Sequence, residues 1–210
     1  MVKGFSPLKV PGLPSPVLRI NLSDEDFDAI YPPKIRRLAE KHFTPLPVAK
    51  TASAFLVREM GTKVLDIGSG AGKFCIVGAL NTSGHYTGIE QRSTMVDLSR
   101  RVSEYHGLSN INFIHTNVTS IDFRDYDAFY IYNSFYENID VHDRIDDTVL
   151  VAPALYGAYL MYTFDQLSRV KPGTRLATYH TLRDIVPPGF TLIKSMYEGR
   201  LDLWETCPNL

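Results

Sequence analysis

Hydrophobic and polar positions follow two different periods along this chain, and the changes of period mark the predicted elements. Between residues 63 and 179, short apolar runs rich in Val, Ile, Phe and Tyr alternate with longer stretches of helical period. This alternation is typical of parallel strands connected by crossover helices. Strands are predicted at Lys63–Ile67, Tyr86–Ile89, Ile111–His115, Ala128–Tyr132 and Arg175–Tyr179. Helices are predicted at Gly72–Leu80, Ser93–His106 and Leu155–Val170.

The two ends of the chain have other patterns. Residues 1–22 are rich in proline and predict an extended arm. Residues 23–61 predict a helical cap. Its expected parts are a short helix through Ile30 capped by Ser23, a helix from Pro33 to about His42, a loop at Phe43–Pro47, and a helix from Val48 to Met60 closed by Gly61. Near the other end, Phe190–Tyr197 alternates and Glu198-Gly199 predicts a tight turn into Arg200–Trp204.

These patterns predict an α/β fold: a mostly parallel, doubly wound sheet with a C-terminal antiparallel hairpin and an N-terminal helical cap. The predicted divisions are an arm at 1–22, the cap at 23–61 and the main domain at 62–210. At 210 residues, the chain is long enough for one such domain with a full core.

The segment from Val64 to Phe74 carries the most specific chemistry in the sequence. An apolar strand reaches the acid Asp66, and glycine then stands at every second position, at Gly68, Gly70 and Gly72. Glycines between a strand and a helix let a ligand approach bare backbone. The dinucleotide fingerprint Gly-x-Gly-x-x-Gly would need glycine at position 73, where this chain has lysine.

With Asp66, this turn resembles the first motif of the class I methyltransferases that use S-adenosyl-L-methionine (SAM). The terminal hairpin is similar to their sixth and seventh strands. The resemblance implies SAM as cofactor and S-adenosyl-L-homocysteine (SAH) as product, with Asp66 holding the cofactor's ammonium directly or through water. Its methionine portion would rest on the residues Gly68, Ser69, Gly70 and Gly72. A plain turn without a ligand is the alternative.

Two further positions complete the predicted cofactor site. Glu90 ends the second strand, where a carboxylate can accept hydrogen bonds from both ribose hydroxyls, and Gln91 and Arg92 can flank the adenine. After the third strand, Asn117 and Val118 occupy the place that binds adenine in the resembled family. A turn-capping role for Asn117 is equally consistent with the sequence.

The fourth strand delivers the candidate catalytic residues. Asn133 to Tyr136 is similar to the (Asp/Asn)-Pro-Pro-(Tyr/Phe) motif of methyltransferases that act on amino nitrogens, although Ser134 and Phe135 replace the prolines. The resemblance implies that Asn133 orients the acceptor amine and that Tyr136 contacts the substrate. Glu137 is interpreted as a surface acid or a proton acceptor. The aromatic rings that can face the sulfonium are Tyr132, Phe135 and Tyr136.

Composition limits the partners. The net charge of −1 does not indicate nucleic acid, and no segment has the length of apolar sequence that spans a membrane. The two cysteines, Cys75 and Cys207, lie far apart, and no residues have metal-ligand spacing, so no metal is predicted. Without a signal-like segment, a cytoplasmic location is expected.

The sequence therefore predicts a SAM-dependent methyltransferase that acts on an amino nitrogen, of protein lysine or of another amine. Two alternatives stay open: an NAD(P)-dependent oxidoreductase, and a SAM-binding module without catalytic activity. The acidic segment Asn138–Leu150 is expected to be a solvated loop on the substrate side. The loop at Phe43–Pro45 is expected to connect helices without contacting a ligand, and the alternative is that it closes over the cofactor from the N-terminal side.

Overall fold

A seven-stranded sheet forms the centre of the protein in the computed structural model, which describes residues 22–140 and 145–207. In chain order the strands are β1 (Lys63–Ile67), β2 (His85–Glu90), β3 (Ile111–His115), β4 (Ala128–Tyr132), β5 (Arg175–Tyr179), β6 (Phe190–Met196) and β7 (Leu201–Thr206). Their order across the sheet is β3-β2-β1-β4-β5-β7-β6. The first five strands are parallel, and β7 lies antiparallel between β5 and β6. The predicted sheet and terminal hairpin are confirmed.

Six α-helices accompany the sheet in the described residues. They are α1 (Asp24–Asp28), α2 (Pro33–His42), α3 (Leu46–Leu56), α4 (Lys73–Asn81), α5 (Ser93–Tyr105) and α6 (Pro153–Leu167). The links from β3 to β4 and from β5 to β6 contain only short 3₁₀ turns. The sheet therefore has α1–α5 on one face, while α6 is the main cover of the other.

Side chains alternate between the two faces of the sheet and form two cores. On the face that carries α1–α5, Val64 and Tyr130 pack with Phe27 and Phe74. Phe74 stacks on Tyr130 with ring centroids 3.7 Å apart. On the other face, the buried residues that pack with α6 include Leu65, Ile67, Phe129, Ile131 and Leu167.

A buried ion pair fastens the cap to the sheet. Ser23 caps α1 as predicted, since its Oγ accepts from the N–H of Asp26 at 3.1 Å. The Lys73 Nζ, at the start of α4, donates to Asp24 at 2.6 Å and to Asp28 at 2.9 Å. Because Lys73 is only 3% exposed, α1 and α4 are joined through a charge shielded from solvent.

The predicted limits of α3 were wrong at both ends. It begins at Leu46, inside the segment predicted as a loop, because Pro45 and Pro47 occupy positions where a helix needs no N–H donor. It ends at Leu56, and the next residue has extended backbone. Met60, counted in the apolar stripe, is 85% exposed and lies beyond the helix. Helix α6 also begins earlier than expected, at Pro153, and ends at Leu167.

Some expectations concern residues outside the described part. The predicted arm falls almost wholly there, as do residues 141–144 of the acidic segment. The division of the chain at residue 61 stays a prediction. Within the described residues, no helix combines the length and apolar character required to cross a membrane.

Candidate active site

A cavity opens at the carboxyl ends of the parallel strands. It measures about 920 Å³, a volume that includes the open solvent at its mouth. Most of the candidate residues line it: Gly68, Gly70, Glu90, Gln91, Asn117, Val118, Asn133 and Tyr136. Residues separated by up to 68 positions are thus brought to one cleft, where sheets of this type bind ligands.

The turn after β1 is pressed against the turn after β4. A Cβ on Gly68 would lie 2.8 Å from the Cβ of Ser134, and Gly68 has a φ of +76°. The Ser134 Oγ donates to the carbonyl of Ile67. The N–H of Gly68 donates to Ile89 O at 3.0 Å, so the turn is also attached to β2. Only glycine satisfies both the backbone conformation and the lack of space at position 68.

Three candidate residues of this turn are not among those that line the cavity: Asp66, Ser69 and Gly72. Asp66 is buried beneath α4, and the Cys75 thiol donates to its Oδ2 at 3.3 Å. Burial raises the pKa of Asp66 to about 7; the nearby charge of Glu90 acts in the same direction, and the hydrogen bond from Cys75 opposes it. Cys75 is a buried free thiol.

Glu90 lies in the cavity wall and closes the glycine turn. Its Oε2 accepts from the N–H of Gly70 at 3.1 Å, and its Oε1 accepts from the N–H of Arg92 at 2.9 Å. Burial raises the pKa of Glu90, while these two N–H groups and the Arg92 guanidinium lower it by a smaller amount. The carboxylate is therefore fixed in direction and still presents an acceptor face to the cavity.

Arg92 lines the cavity, and its guanidinium is bound within the protein, so its predicted place beside the adenine stays a prediction. It is 2% exposed, and its guanidinium donates in bidentate fashion to Glu137 at 2.8 and 2.7 Å and to Asp146 at 2.9 Å. The interpretation of Glu137 as a surface acid was wrong, because its side chain is 13% exposed and both its oxygens bind Arg92. Its role as a proton acceptor stays a prediction. The acidic segment after β4 is thus attached to the turn that follows β2.

Both polar atoms of the Asn117 side chain form hydrogen bonds within the protein. Its Oδ1 accepts from the N–H of Thr119 at 3.1 Å and caps the turn Val118–Ser120. Its Nδ2 donates to the hydroxyl of Tyr159 at 2.8 Å. The capping role is confirmed, and Tyr159 itself lines the cavity from α6.

The turn after β4 places the Asn133 backbone in an uncommon conformation. Its φ is +44°, a region that asparagine tolerates better than most residues, and its N–H donates to the Thr181 Oγ1 at 3.0 Å. The N–H of Tyr136 donates to Asn133 O at 3.1 Å and completes the turn. Phe135 is buried, whereas Tyr136 is 40% exposed at the mouth.

The cap supplies another part of the cavity rim. Lys41, His42 and Phe43, at the end of α2, line it. The neighbouring Thr44 hydroxyl is buried and bonds the Tyr130 hydroxyl at 2.9 Å. The loop at Phe43–Pro45 therefore lies against the cleft, although sequence reasoning favoured a connection away from any ligand.

The comparisons with known proteins agree with this geometry. A family described as a methyltransferase domain matches residues 58–168, just over half of the chain. The chain belongs to this methyltransferase family. The order of its seven strands is that of the class I SAM-dependent enzymes. A search of curated protein sequences found no match.

Solved structures with the same fold include several methyltransferases. An RNA methyltransferase from Salinibacter ruber, solved with SAH, is 19% identical with a TM-score of 0.55, over 80% of this chain and 94% of that one. TrmN from Thermus thermophilus is 19% identical with a TM-score of 0.56, over 81% of this chain. The chain spans about half of TrmN, 51% of its length. The putative methyltransferase yhhF from Escherichia coli is 12% identical with a TM-score of 0.55, over 78% and 86% of the two chains. At these identities the likeness shows the fold alone.

Several residues around the methyltransferase cleft were not found from the sequence. In the sequence, Tyr159 is recognisable only as one position in the apolar pattern of α6. The Arg92–Glu137 and Arg92–Asp146 contacts join positions 45 and 54 residues apart, and no local pattern signals such pairs. The family assignment also removes the support for the NAD(P)-dependent alternative.

Proposed function

We propose that this methyltransferase binds SAM between the glycine turn and Glu90, and transfers the methyl group to an amino nitrogen placed by Asn133. The observation that carries the proposal is the position of Asn133. It lies in the cavity wall at the end of β4, fixed by Thr181 and next to the glycine turn. Neither the cofactor contacts nor the acceptor follows from fold similarity alone.

Glu90 has the chemistry to bind the ribose of SAM. An ionised carboxylate offers about four acceptor positions on its two oxygens. In this protein each oxygen accepts one backbone N–H, from Gly70 and Arg92. One position on each oxygen therefore suits the two ribose hydroxyls, which a neutral side chain would bind less strongly.

The amino-acid end of SAM fits the glycine side of the cleft. Gly68 and Gly70 line the cavity without side chains that would fill it. Asp66 lies behind this wall, so its contact to the ammonium would run through water. Asn117 and Val118 border the place left for the adenine.

Asn133 and Tyr136 would act on the acceptor. An amine N–H can donate to the Asn133 Oδ1, which directs the nitrogen lone pair toward the methyl carbon. SAM supplies an electrophilic methyl group and a neutral thioether leaving group. As the C–N bond forms the C–S bond breaks, and the nitrogen then loses a proton. Because Glu137 is bound to Arg92, that proton leaves to solvent, and the amine must arrive unprotonated.

The replacement of the motif's prolines leaves open a SAM-binding module without activity. The structure nevertheless holds this turn in place without them. Ser134 Oγ donates to Ile67 O, and Asn133 N–H donates to Thr181. Such hydrogen bonds restrict the turn as prolines would, which favours a transferase over a passive module.

Calorimetry tests the cofactor site. SAM and SAH should stabilise the protein and bind, whereas NAD(P) should not. Glu90→Ala should weaken SAM binding by about 1.5–3 kcal/mol, as expected for hydrogen bonds to a charged group. Glu104→Ala, an exposed acid at the end of α5, is the control. Unchanged affinity in a folded Glu90→Ala protein would remove the ribose assignment.

Methylation assays test the acceptor. The panel of acceptors comprises a lysine peptide, a small primary amine and an RNA with exocyclic base amines. At least one of them should gain the mass of one methyl group. Asn133→Gly keeps the positive φ and removes the amide, so it should retain SAM affinity and lose turnover. Asn133→Asp, which keeps an acceptor oxygen, should retain part of the turnover. Full turnover in Asn133→Gly would refute the acceptor role.

A further inference from the structure

Arg92 connects the two halves of the cleft. It follows β2 by two residues, and the backbone N–H of Arg92 donates to Glu90 on the cofactor side. Its guanidinium reaches across to Glu137 and Asp146, both in the segment that follows β4. Tyr136, the candidate substrate contact, immediately precedes Glu137. Arg92 therefore contacts the proposed ribose acid through its backbone and the proposed acceptor segment through its guanidinium.

The cluster is charged and shielded from solvent. Arg92 has three carboxylates around it: Glu137 at 2.7 Å, Asp146 at 2.9 Å and Glu90 at 3.6 Å. Burial by itself lowers the pKa of the guanidinium, but the hydrogen bonds to Glu137 and Asp146 and the charges of Glu137 and Glu90 raise it above its ordinary value. Arg92 thus stays charged, and each carboxylate depends on it for compensation.

The geometry suits arginine specifically. The planar guanidinium places two parallel N–H donors on Glu137 while its Nε serves Asp146. Lysine has a compact ammonium and cannot bind two carboxylates in this way. The second carboxylate oxygen of Glu137 also receives the N–H of Ile145 at 3.4 Å. The contacts therefore fix the direction of the acceptor segment at two points, residues 137 and 145–146.

We propose that Arg92 is a positioning residue, which couples the binding of the cofactor at Glu90 to the placement of the Tyr136–Asp140 and Ile145–Thr148 segments. The inference rests on the proposed function, because it takes Glu90 as the ribose acid. When the ribose hydroxyls bind Glu90, they fix the carboxylate that faces Arg92, and Arg92 in turn holds Glu137 and Asp146. By thermodynamic linkage, an ordered acceptor segment strengthens cofactor binding by the same factor.

A purely structural role predicts something different. If Arg92 only stabilised the fold, its loss would loosen the acceptor segment equally with and without cofactor. If Arg92 couples the two sides, its loss would remove the effect of cofactor on that segment. The two cases are separated by the ratio of the hydrogen-exchange rates measured without and with SAH. SAH is the ligand to use as the probe.

Amide hydrogen exchange followed by mass spectrometry gives this ratio for peptides that contain Tyr136–Asp140 and Ile145–Leu150. Useful reporters are the N–H of Ile145, bound to Glu137, and the N–H of Thr148, bound to Asp146 at 3.0 Å. In the unaltered protein, saturating SAH should slow their exchange about fivefold or more, the lower end of common coupling factors.

Glu137→Gln is the most informative variant because it breaks the bidentate pair on the acceptor side. It should lower SAH affinity less than Glu90→Ala does, yet bring the exchange ratio close to one. Arg92→Lys should do the same, and Asp146→Asn is a milder change for the case that Arg92→Lys does not fold. Arg100→Lys is the matched control, since this arginine on α5 binds Phe113 O away from the acceptor segment.

Each outcome decides something. If SAH slows exchange in folded Glu137→Gln and Arg92→Lys as much as in the unaltered protein, the coupling role is wrong. The coupling role is also wrong if exchange rises equally with and without SAH. If SAH does not bind the unaltered protein at all in calorimetry, the proposed function fails first. The two failures are therefore distinguishable.

Discussion

The Cβ of Ser134 lies 2.8 Å from the position that a Cβ on Gly68 would occupy. The turn that follows β1 and the turn that follows β4 therefore meet at two small residues. One turn carries the proposed cofactor contacts and the other carries Asn133. Their separation is set by the absence of a side chain on Gly68.

Gly68→Ala should destabilise the protein by about 2–4 kcal/mol, because alanine disfavours a φ of +76° and its methyl group would overlap Ser134. SAM affinity should decrease with it. Gly70→Ala is the control: it has a φ of +52° and nothing within 4 Å of an added Cβ, so it measures backbone strain alone. The second substitution Ser134→Gly should recover part of the loss in Gly68→Ala. Equal unfolding free energies for the two alanine variants would contradict the contact argument.

Lys73→Met should lower the free energy of unfolding by about 3–5 kcal/mol, because it leaves the buried carboxylate of Asp28 without its partner. Denaturation with urea measures the loss. Adding Asp28→Asn removes the uncompensated charge and should restore part of it. Arg169→Ala breaks an exposed pair with Asp165 on α6 and should change little. If Lys73→Met and Arg169→Ala are equally mild, the ion pair does not fasten the cap.

Asp66 should make stability depend on pH. Burial raises its pKa from 3.8 to about 7, so between these values the folded state keeps a proton that the unfolded chain has released. The free energy of unfolding from this group therefore decreases as the pH rises through that window, by at most about 4 kcal/mol. Asp66→Asn removes the titration. The difference in the free energy of unfolding, Asp66→Asn minus the unaltered protein, should be larger near neutral pH than in mild acid. A constant difference at all pH values would contradict the raised pKa.

The same titration should appear in cofactor binding. If Asp66 holds the ammonium of SAM through water, its ionised form binds better. Affinity measured by calorimetry should then rise with pH up to values above the folded-state pKa of about 7, and level off. Asp66→Asn should bind SAM more weakly and without this rise. Parallel curves for the two proteins would remove Asp66 from the cofactor site.

Tyr159→Phe should weaken SAM binding by about 0.5–1.5 kcal/mol, because the Asn117 amide loses the hydroxyl that orients it beside the cavity. Tyr162→Phe is the matched control on the same helix. Its hydroxyl donates to Ile121 O at 2.8 Å, outside the cavity lining. Similar losses of affinity in both variants would mean that the effect passes through the stability of α6 instead.

Much of the sheet was predictable from the sequence, because a buried strand is encoded locally. The limits of β1, β3, β4 and β5 are those predicted, and β2 is one residue longer at each end. The glycine turn and the residues at strand ends were predictable for a related reason: parallel strands bring their carboxyl ends to one edge.

What the sequence did not reveal depends on contacts between distant positions. The partners of Lys73 lie 49 and 45 residues away, and those of Arg92 lie beyond the next strands. Nothing in the spacing of charges distinguishes these buried pairs from solvated ones. The predicted limits of α3 were wrong for a different reason. Its apolar period continues past Leu56, but the helical conformation of the backbone ends there.

The tie between Lys73 and α1 has a consequence for the route of the acceptor. The cap carries Phe43 to the front of the cleft, and the same cap is locked to the helix that opens directly after the glycine turn. Moving the cap away from the cleft would separate the buried Lys73 ammonium from the carboxylates of Asp24 and Asp28. The amine acceptor proposed above would instead approach past the half-exposed ring of Tyr136, with its nitrogen leading. Selection among acceptors would then fall first on how far the nitrogen protrudes from the molecule that bears it.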